Sequence, residues 1–158
     1  MPIPIDKLLD RTGWQILGEL QRNARISLSD LGRKINLSTP ATMERVRKLE
    51  EVGIVTGYRA DLDATKLGLP ILAFVRINTP TRLYPRFLQV VEQSTEIIEC
   101  HHVAGADSFI LKARLVSNAH LEDLLRRLSP FGETNTSIVL SSPLTHRPLA
   151  PQPTTRDS

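Results

Sequence analysis

Two helix-start signals stand eleven residues apart in this chain, at Ser27 and Ser38, and each is followed by apolar residues at helical spacing. Ser27-Leu28-Ser29-Asp30 has the Ser-x-x-acid form of a capping box, and Leu28, Leu31 and Ile35 repeat at i, i+3 and i+7, which predicts a two-turn helix. Asn36-Leu37-Ser38 interrupts it. Ser38 or Thr39 can cap the next helix, which starts near Pro40, where a missing N–H does no harm, and runs to about Val52. Its inner face is expected to hold Ala41, Thr42, Val46 and Leu49, with Gly53 as the stop. Two such helices joined by a tight polar turn form a helix-turn-helix. Upstream, Asp10 can cap a further helix to about Arg22, with Ile16, Leu17 and Leu20 on one face and Trp14 nearby, slightly weakened by Gly13 and Gly18.

After Gly53, the stretch Ile54 to Leu62 is expected to form two short strands about a turn at Thr56-Gly57, the proportions of a small wing. A polar hinge follows over 63–70. The rest alternates cleanly. Ile71 to Asn78 is β-rich and apolar, Tyr84 to Ser94 has helical spacing at Phe87, Leu88 and Val91, and Ile97 to Val103 and Ser108 to Val116 are strands around Ala104-Gly105-Ala106-Asp107. Asn118 or Ser117 caps a helix to Leu128, and a last strand runs from Thr134 to Ser141. The order is βαββαβ, the ferredoxin-like pattern. The expected class is therefore α+β, a winged helix-turn-helix over 1–62, the hinge over 63–70, a ferredoxin-like sandwich over 71–142 and a Pro-rich disordered tail over 143–158.

Charge separates the halves. Residues 1 to 60 hold ten Lys and Arg against seven Asp and Glu, and residues 61 to 158 hold ten of each, so the excess positive charge falls entirely in the first half and points to a polyanion partner there. On the third helix the outward stripe is Thr39, Met43 and Arg47, with Pro40, Glu44 and Lys48 beside it, as in a helix that offers its N-terminal end to the major groove of double-stranded DNA. Arg45 and Lys48 are candidate phosphate clamps, Arg59 on the wing can reach the adjacent backbone, and N–H groups flanking Ser27 and Ser38 can hold phosphate as well as being capped.

The chain resembles the leucine-responsive regulator/asparagine-activator (Lrp/AsnC, or feast/famine) family of transcription regulators across roughly residues 9 to 142. The likeness is carried by Leu9-Asp10-Arg11-Thr12-Gly13-Trp14-Gln15-Ile16-Leu17, by Leu37-Ser38, and by Arg45-Val46-Arg47-Lys48-Leu49-Glu50 through Gly53-Ile54-Val55-Thr56-Gly57-Tyr58. In the second half it is carried by Val103-Ala104-Gly105 and by Thr134-Asn135-Thr136-Ser137-Ile138-Val139-Leu140. The resemblance implies sequence-specific DNA binding, a homodimer built through the second domains and assembled further into tetramers or octamers, and an amino-acid effector or related metabolite held between dimers. Gly105, Asp107, Ser108, Thr134 and Thr136 are the candidate effector residues, since hydroxyls, backbone N–H groups and a carboxylate suit a zwitterion. The chain departs from the family where Gly13 replaces a frequent acidic residue, and where Asp107 stands one position before Ser108, the place of a frequent Asp.

Other classes fit less well. There is no GxSxG, no phosphate-cradling glycine loop and no His–carboxylate pairing at telling spacing, so no enzyme activity is expected. Cys100, His101 and His102 invite a metal, but only His120 and His146 remain as further histidines, so neither metal nor cofactor is expected. With no apolar run long enough for a bilayer and no secretory pattern at the start, the expected location is cytoplasmic and nucleoid-associated. The alternatives left open are a ligand-independent architectural DNA binder of the same fold, and a winged helix that binds protein.

Overall fold

The computed structural model describes residues 5–151. The chain divides into two compact units, one built on Met1–Asp61 and joined by residues from Leu144 onward, the other spanning Leu62–Pro143.

The first unit is helical: α1 (Ile5–Leu8), α2 (Arg11–Arg22), α3 (Leu28–Ile35) and α4 (Thr39–Glu51). Asp10, Ser27 and Ser38 occupy the N-cap positions of α2, α3 and α4, each side chain accepting a backbone N–H in the first turn. Leu31, Ile16 and Leu49 are sealed at its centre with Val46, Leu17, Ile35 and Leu8 around them. The short helix α1 lies outside the periodicity that sequence reveals, because four residues give no repeat to read. Gly13 does more than weaken α2: a Cβ there would stand 1.8 Å from the Leu8 carbonyl oxygen, so the glycine lets α1 lie directly on α2.

On α4 the buried positions are Thr42, Val46 and Leu49, at i, i+4 and i+7, and Ala41 is exposed, against expectation. Ala41 precedes Thr42 by one residue, which turns it about 100° off the buried stripe. The expected wing strands do not form: among the described residues no strand lies between α4 and Ile71. Ile54 and Val55 instead donate their N–H groups to the Leu49 carbonyl, and the Tyr58 hydroxyl donates to Glu50 at 2.7 Å, so the segment is tied back to α4. A lone hairpin of this size has no further strand or apolar face to support it.

The second unit holds β1 (Ile71–Asn78), α5 (Tyr84–Gln93), β2 (Ile97–His102), β3 (Phe109–Leu115), α6 (Asn118–Leu128) and β4 (Glu133–Ile138) in one antiparallel sheet of order β2-β3-β1-β4. That is the ferredoxin-like order. Alternate residues Ala73, Val75 and Ile77 of β1 and Phe109, Leu111, Ala113 and Leu115 of β3 are buried on one face against Phe87 of α5 and Leu121, Leu124 and Leu128 of α6. Leu88, expected on the inner face of α5, is 44% exposed, because the helix presents Tyr84, Phe87 and Val91 to the sheet. β4 stops at Ile138, short of Ser141: Ile138 is opposite Ala73 and Val139 still donates to Leu72, where the pairing with β1 ends.

Among the described residues of this unit, no helix packs on the opposite face of the sheet. Phe74, Arg76, Lys112, Asn135 and Ser137 lie on it by register, with Phe74 in the middle, opposite Lys112 on one side and Ser137 on the other. The tail was expected to be without structure. Over 143–151 it forms no regular element, yet Leu149 is held by Gln21, whose carboxamide donates to the Leu149 carbonyl (3.0 Å) and accepts its N–H (2.7 Å). Residues 152–158 lie outside the described residues.

Candidate DNA interface and effector site

The α3–α4 turn is built by contact and by backbone conformation. Asn36 takes the left-handed conformation at φ 57° and its N–H donates to Gly32, which receives Leu37 N–H as well. A Cβ at Gly32 would lie 2.7 Å from the Leu37 carbonyl oxygen and 2.9 Å from Thr42 Oγ1, so only glycine lets the two helices approach this closely. Thr42 is fully buried and donates its hydroxyl to Ser38 at 2.9 Å. Thr42 is buried as its place on the inner face predicts, whereas Gly32 was not among the residues singled out from sequence, although a glycine four residues before an Asn-x-Ser turn is a readable signal.

This packing leaves Thr39, Met43 and Arg47 exposed along one line of α4, with Ser38 and Pro40 open at its N-terminus. The cations of that face are all occupied. Arg47 donates from Nε and Nη2 to Glu44 at 2.9 to 3.1 Å and from Nη1 to Glu51 at 2.6 Å, and Lys48 sits 3.2 Å from Glu44. These contacts, Arg47 first, hold the Glu44 carboxyl below its usual range. Arg45 is set apart, since both of its NH groups grip Asp10 at 2.8 Å. It ties α4 to the start of α2 in the free protein, so a phosphate at Arg45 would have to replace Asp10. Arg59 is exposed on the unpaired segment after α4, so it has no wing to carry it.

In the second unit the candidate effector residues gather at one end of the sheet. Ser108 donates its N–H to the Ile77 carbonyl, and Thr134 faces Ile77 from the other side across β4. Thr136, two residues on, faces Val75, so both threonines point to the helix-covered side of the edge strand and are partly buried. Gly105 is exposed with φ 140°, in the left-handed half of backbone space, and Asp107 is partly buried beside it. The Ser108 side chain already has partners in the free protein. It is buried, accepts Thr79 N–H at 3.1 Å and lies within hydrogen-bond distance of the Thr79 carbonyl and Asn78 Oδ1, which pins the β2–β3 loop to the end of β1. Next to it, Thr79 Oγ1 is buried without a hydrogen-bond partner among the described residues. Neither Asn78 nor Thr79 was distinguishable in sequence from the end of a strand.

Both units match family models, an AsnC-type helix-turn-helix domain over residues 9–50 and an Lrp/AsnC ligand binding domain over 72–149. The chain belongs to the Lrp/AsnC family. It is 37% identical over 133 residues to the transcriptional regulator LrpC of Bacillus subtilis, covering 84% of this chain and 92% of that one. It is 37% identical over 142 residues to the leucine-responsive regulatory protein of Haemophilus influenzae, with 85% and 86% covered. The solved structure of B. subtilis LrpC superposes with a TM-score of 0.83 at 36% identity, covering 87% of this chain and 99% of that one. A feast or famine regulatory protein of Mycobacterium tuberculosis complexed with L-methionine gives a TM-score of 0.83 at 33% identity, with 90% and 99% covered.

These relatives are transcription regulators, and this Lrp/AsnC protein is a DNA-binding transcription regulator and not an enzyme. No helix among the described residues is long and apolar enough to cross a membrane. The resemblance read from Leu9 to Leu17 and from Arg45 to Glu50 falls inside the first matched domain and that from Thr134 to Leu140 inside the second, while Gly53 to Tyr58 lies between the two.

Proposed function

We propose that this regulator inserts α4 into the major groove of duplex DNA, with Ser38, Thr39, Pro40, Met43, Glu44, Arg47 and Lys48 as the contacting set. The observation that carries this reading is the exposed line Thr39–Met43–Arg47 on a helix whose opposite face is locked by Thr42, Val46 and Leu49. A helix presented this way offers its first turns to base edges. A homodimer, paired through the helix-free sheet face around Phe74, places two such helices on a near-palindromic site with half-sites about 34 Å apart or a multiple of that. Further assembly into tetramers or octamers buries the remaining edges.

The effector is an amino acid or a related zwitterion, as in the L-methionine complex of the mycobacterial relative. Gly105, Asp107, Thr134 and Thr136 bring a glycine-containing loop, a carboxylate and two hydroxyls to one end of the sheet, and Ser108 acts there by fixing the loop. The experiment is footprinting of the full chain on duplexes selected from a random pool, repeated with each of the twenty amino acids, alongside calorimetry without DNA. Protection of two half-sites that shifts with one amino acid supports the reading. Protection that no amino acid alters, with no calorimetric binding, replaces it by an architectural DNA binder, and no protection at all removes α4 from the groove.

A further inference from the structure

The recognition helix is electrically self-contained, which is unexpected in the half of the chain that holds all the excess positive charge. Three cations, Arg45, Arg47 and Lys48, share α4 with three carboxylates, Glu44, Glu50 and Glu51. Arg45 is held by Asp10, and Glu50 receives the Tyr58 hydroxyl. The other four groups form one chain of pairs along the exposed face, Lys48 to Glu44, Glu44 to Arg47 and Arg47 to Glu51. Arg47 is the centre of that chain, clasped by a carboxylate one turn before it and another one turn after it.

Resting on the reading of α4 as the DNA face, we propose that Glu44 and Glu51 are specificity-determining residues: by holding Arg47 from both sides they suppress its engagement with DNA of arbitrary sequence. The pairs are more than half exposed on the Arg47 side, so each is weak and reversible. A phosphate can meet the guanidinium with two oxygens, but it brings a single negative charge in exchange for two carboxylates and repels both as it approaches, so binding to backbone alone gains little. A guanine edge offers two acceptors in the plane of the guanidinium, which replaces the pair geometry that Glu44 supplies. Selectivity then rises because the competing, sequence-blind mode is weakened. Glu51 is the cleaner case. It closes the line Thr39, Met43, Arg47, Glu51 at the last residue of α4, about 18 Å along the axis from Thr39, where a helix entering by its N-terminus brings no base within reach.

The test compares full-length wild type, Glu44→Gln, Glu51→Gln, Arg47→Ala and Arg47→Ala/Glu51→Gln on two probes over a range of salt. One probe is a duplex selected from a random pool by the wild type, and the other is an unrelated duplex of equal length. Circular dichroism and sedimentation verify that each variant is folded and assembled. The expected result is about two- to fourfold tighter binding of the unrelated duplex by either Glu variant, the size of a lost helical ion pair together with a lost repulsion. The salt slope steepens by about one unit, the ratio of selected to unrelated affinity falls, and the Glu51→Gln gain disappears when Arg47 is absent. Unchanged affinity for the unrelated duplex in both Glu variants overturns the proposal, as does a gain from Glu51→Gln that survives without Arg47. A Glu44→Gln loss on the selected duplex with no gain on the other reassigns Glu44 to direct base reading and overturns its part. If Arg47→Ala changes neither duplex, the reading of α4 as the DNA face fails instead, a result the Glu variants alone cannot produce.

Discussion

The Arg45 guanidinium grips the Asp10 carboxylate with both NH groups at 2.8 Å across 35 residues of chain, while Asp10 Oδ1 also accepts the Gly13 N–H at 2.7 Å. One side chain therefore caps α2 and anchors the recognition helix to it. The guanidinium first, and then the Gly13 N–H, hold the Asp10 carboxyl down at about 2, against an ordinary 3.8. A carboxyl depressed on folding contributes stability that is complete above its unfolded pKa and is lost as pH falls through the folded one.

Two substitutions separate the jobs of Asp10. Asp10→Asn keeps a good cap and loses the ion pair, which at a side chain 42% exposed costs only about 0.5 kcal/mol. Asp10→Ala loses both and costs about 1–2 kcal/mol. Urea titrations check both values at pH 7, and the Asp10→Asn penalty should shrink between pH 4 and 2. A penalty that stays constant over that window means the pair contributes nothing.

The two glycines of α2 are expected to respond with opposite sign. At Gly13 an added methyl meets the Leu8 carbonyl oxygen at 1.8 Å, so Gly13→Ala must push α1 away and destabilise by about 1–3 kcal/mol. At Gly18 the nearest atom is the mobile end of Arg22 at 3.9 Å, so Gly18→Ala stabilises by about 0.5–1 kcal/mol through backbone entropy. Thermal melts of the two variants decide the matter. Equal shifts of the same sign would show that α1 does not rest on α2 in solution.

This pair also marks where the sequence stops being informative. Capping residues and apolar spacing located α2, α3, α4 and every element of the second unit to within a few residues, because caps and periodicity are local signals. What eluded reading is contact between segments distant in sequence. Gly13 is a nearer case, which looked like a weakness because α1 is too short to show a repeat and so does not reveal Leu8 as a neighbour. The Arg45–Asp10 pair spans 35 residues, and Ser108 meets Asn78 and Thr79 about thirty residues away, so neither contact shows in the sequence. The wing failed for the converse reason: Ile54 to Leu62 has strand-like residues, but a strand needs a partner that only the assembled structure could supply.

Ser108 gives a direct test of its role at the effector end. Its hydroxyl accepts the buried Thr79 N–H, so Ser108→Ala leaves that donor unpaired and is expected to cost about 1–3 kcal/mol of stability. A residue that mainly contacted ligand would leave the free protein unchanged. Hydrogen exchange at Thr79 adds a local readout: its amide should lose protection in the variant more than amides of β3 away from the loop. Unaltered stability together with lost effector response would return Ser108 to the ligand-contacting set.

Arg47 and Lys48 are expected to differ in kind, because base contacts carry sequence information and phosphate contacts mainly carry charge. Both cations share Glu44 in the free protein, and Arg47 is held by Glu51 as well. Direction around the helix separates them. Arg47 continues the exposed line of Thr39 and Met43, whereas Lys48 is turned about 100° from it and is the more covered of the two, at 35% against 55% side-chain exposure. Arg47→Ala should therefore cost about 1–3 kcal/mol on the selected duplex and less on an unrelated one, lowering the specificity ratio. Lys48→Ala should weaken both duplexes alike and flatten the salt dependence by about one unit. Fluorescence anisotropy at several salt concentrations measures each quantity on proteins verified as folded and assembled. Equal losses on both duplexes for Arg47→Ala would make it a phosphate contact, and a specificity loss confined to Lys48→Ala would rotate the helix in the groove by that same 100°.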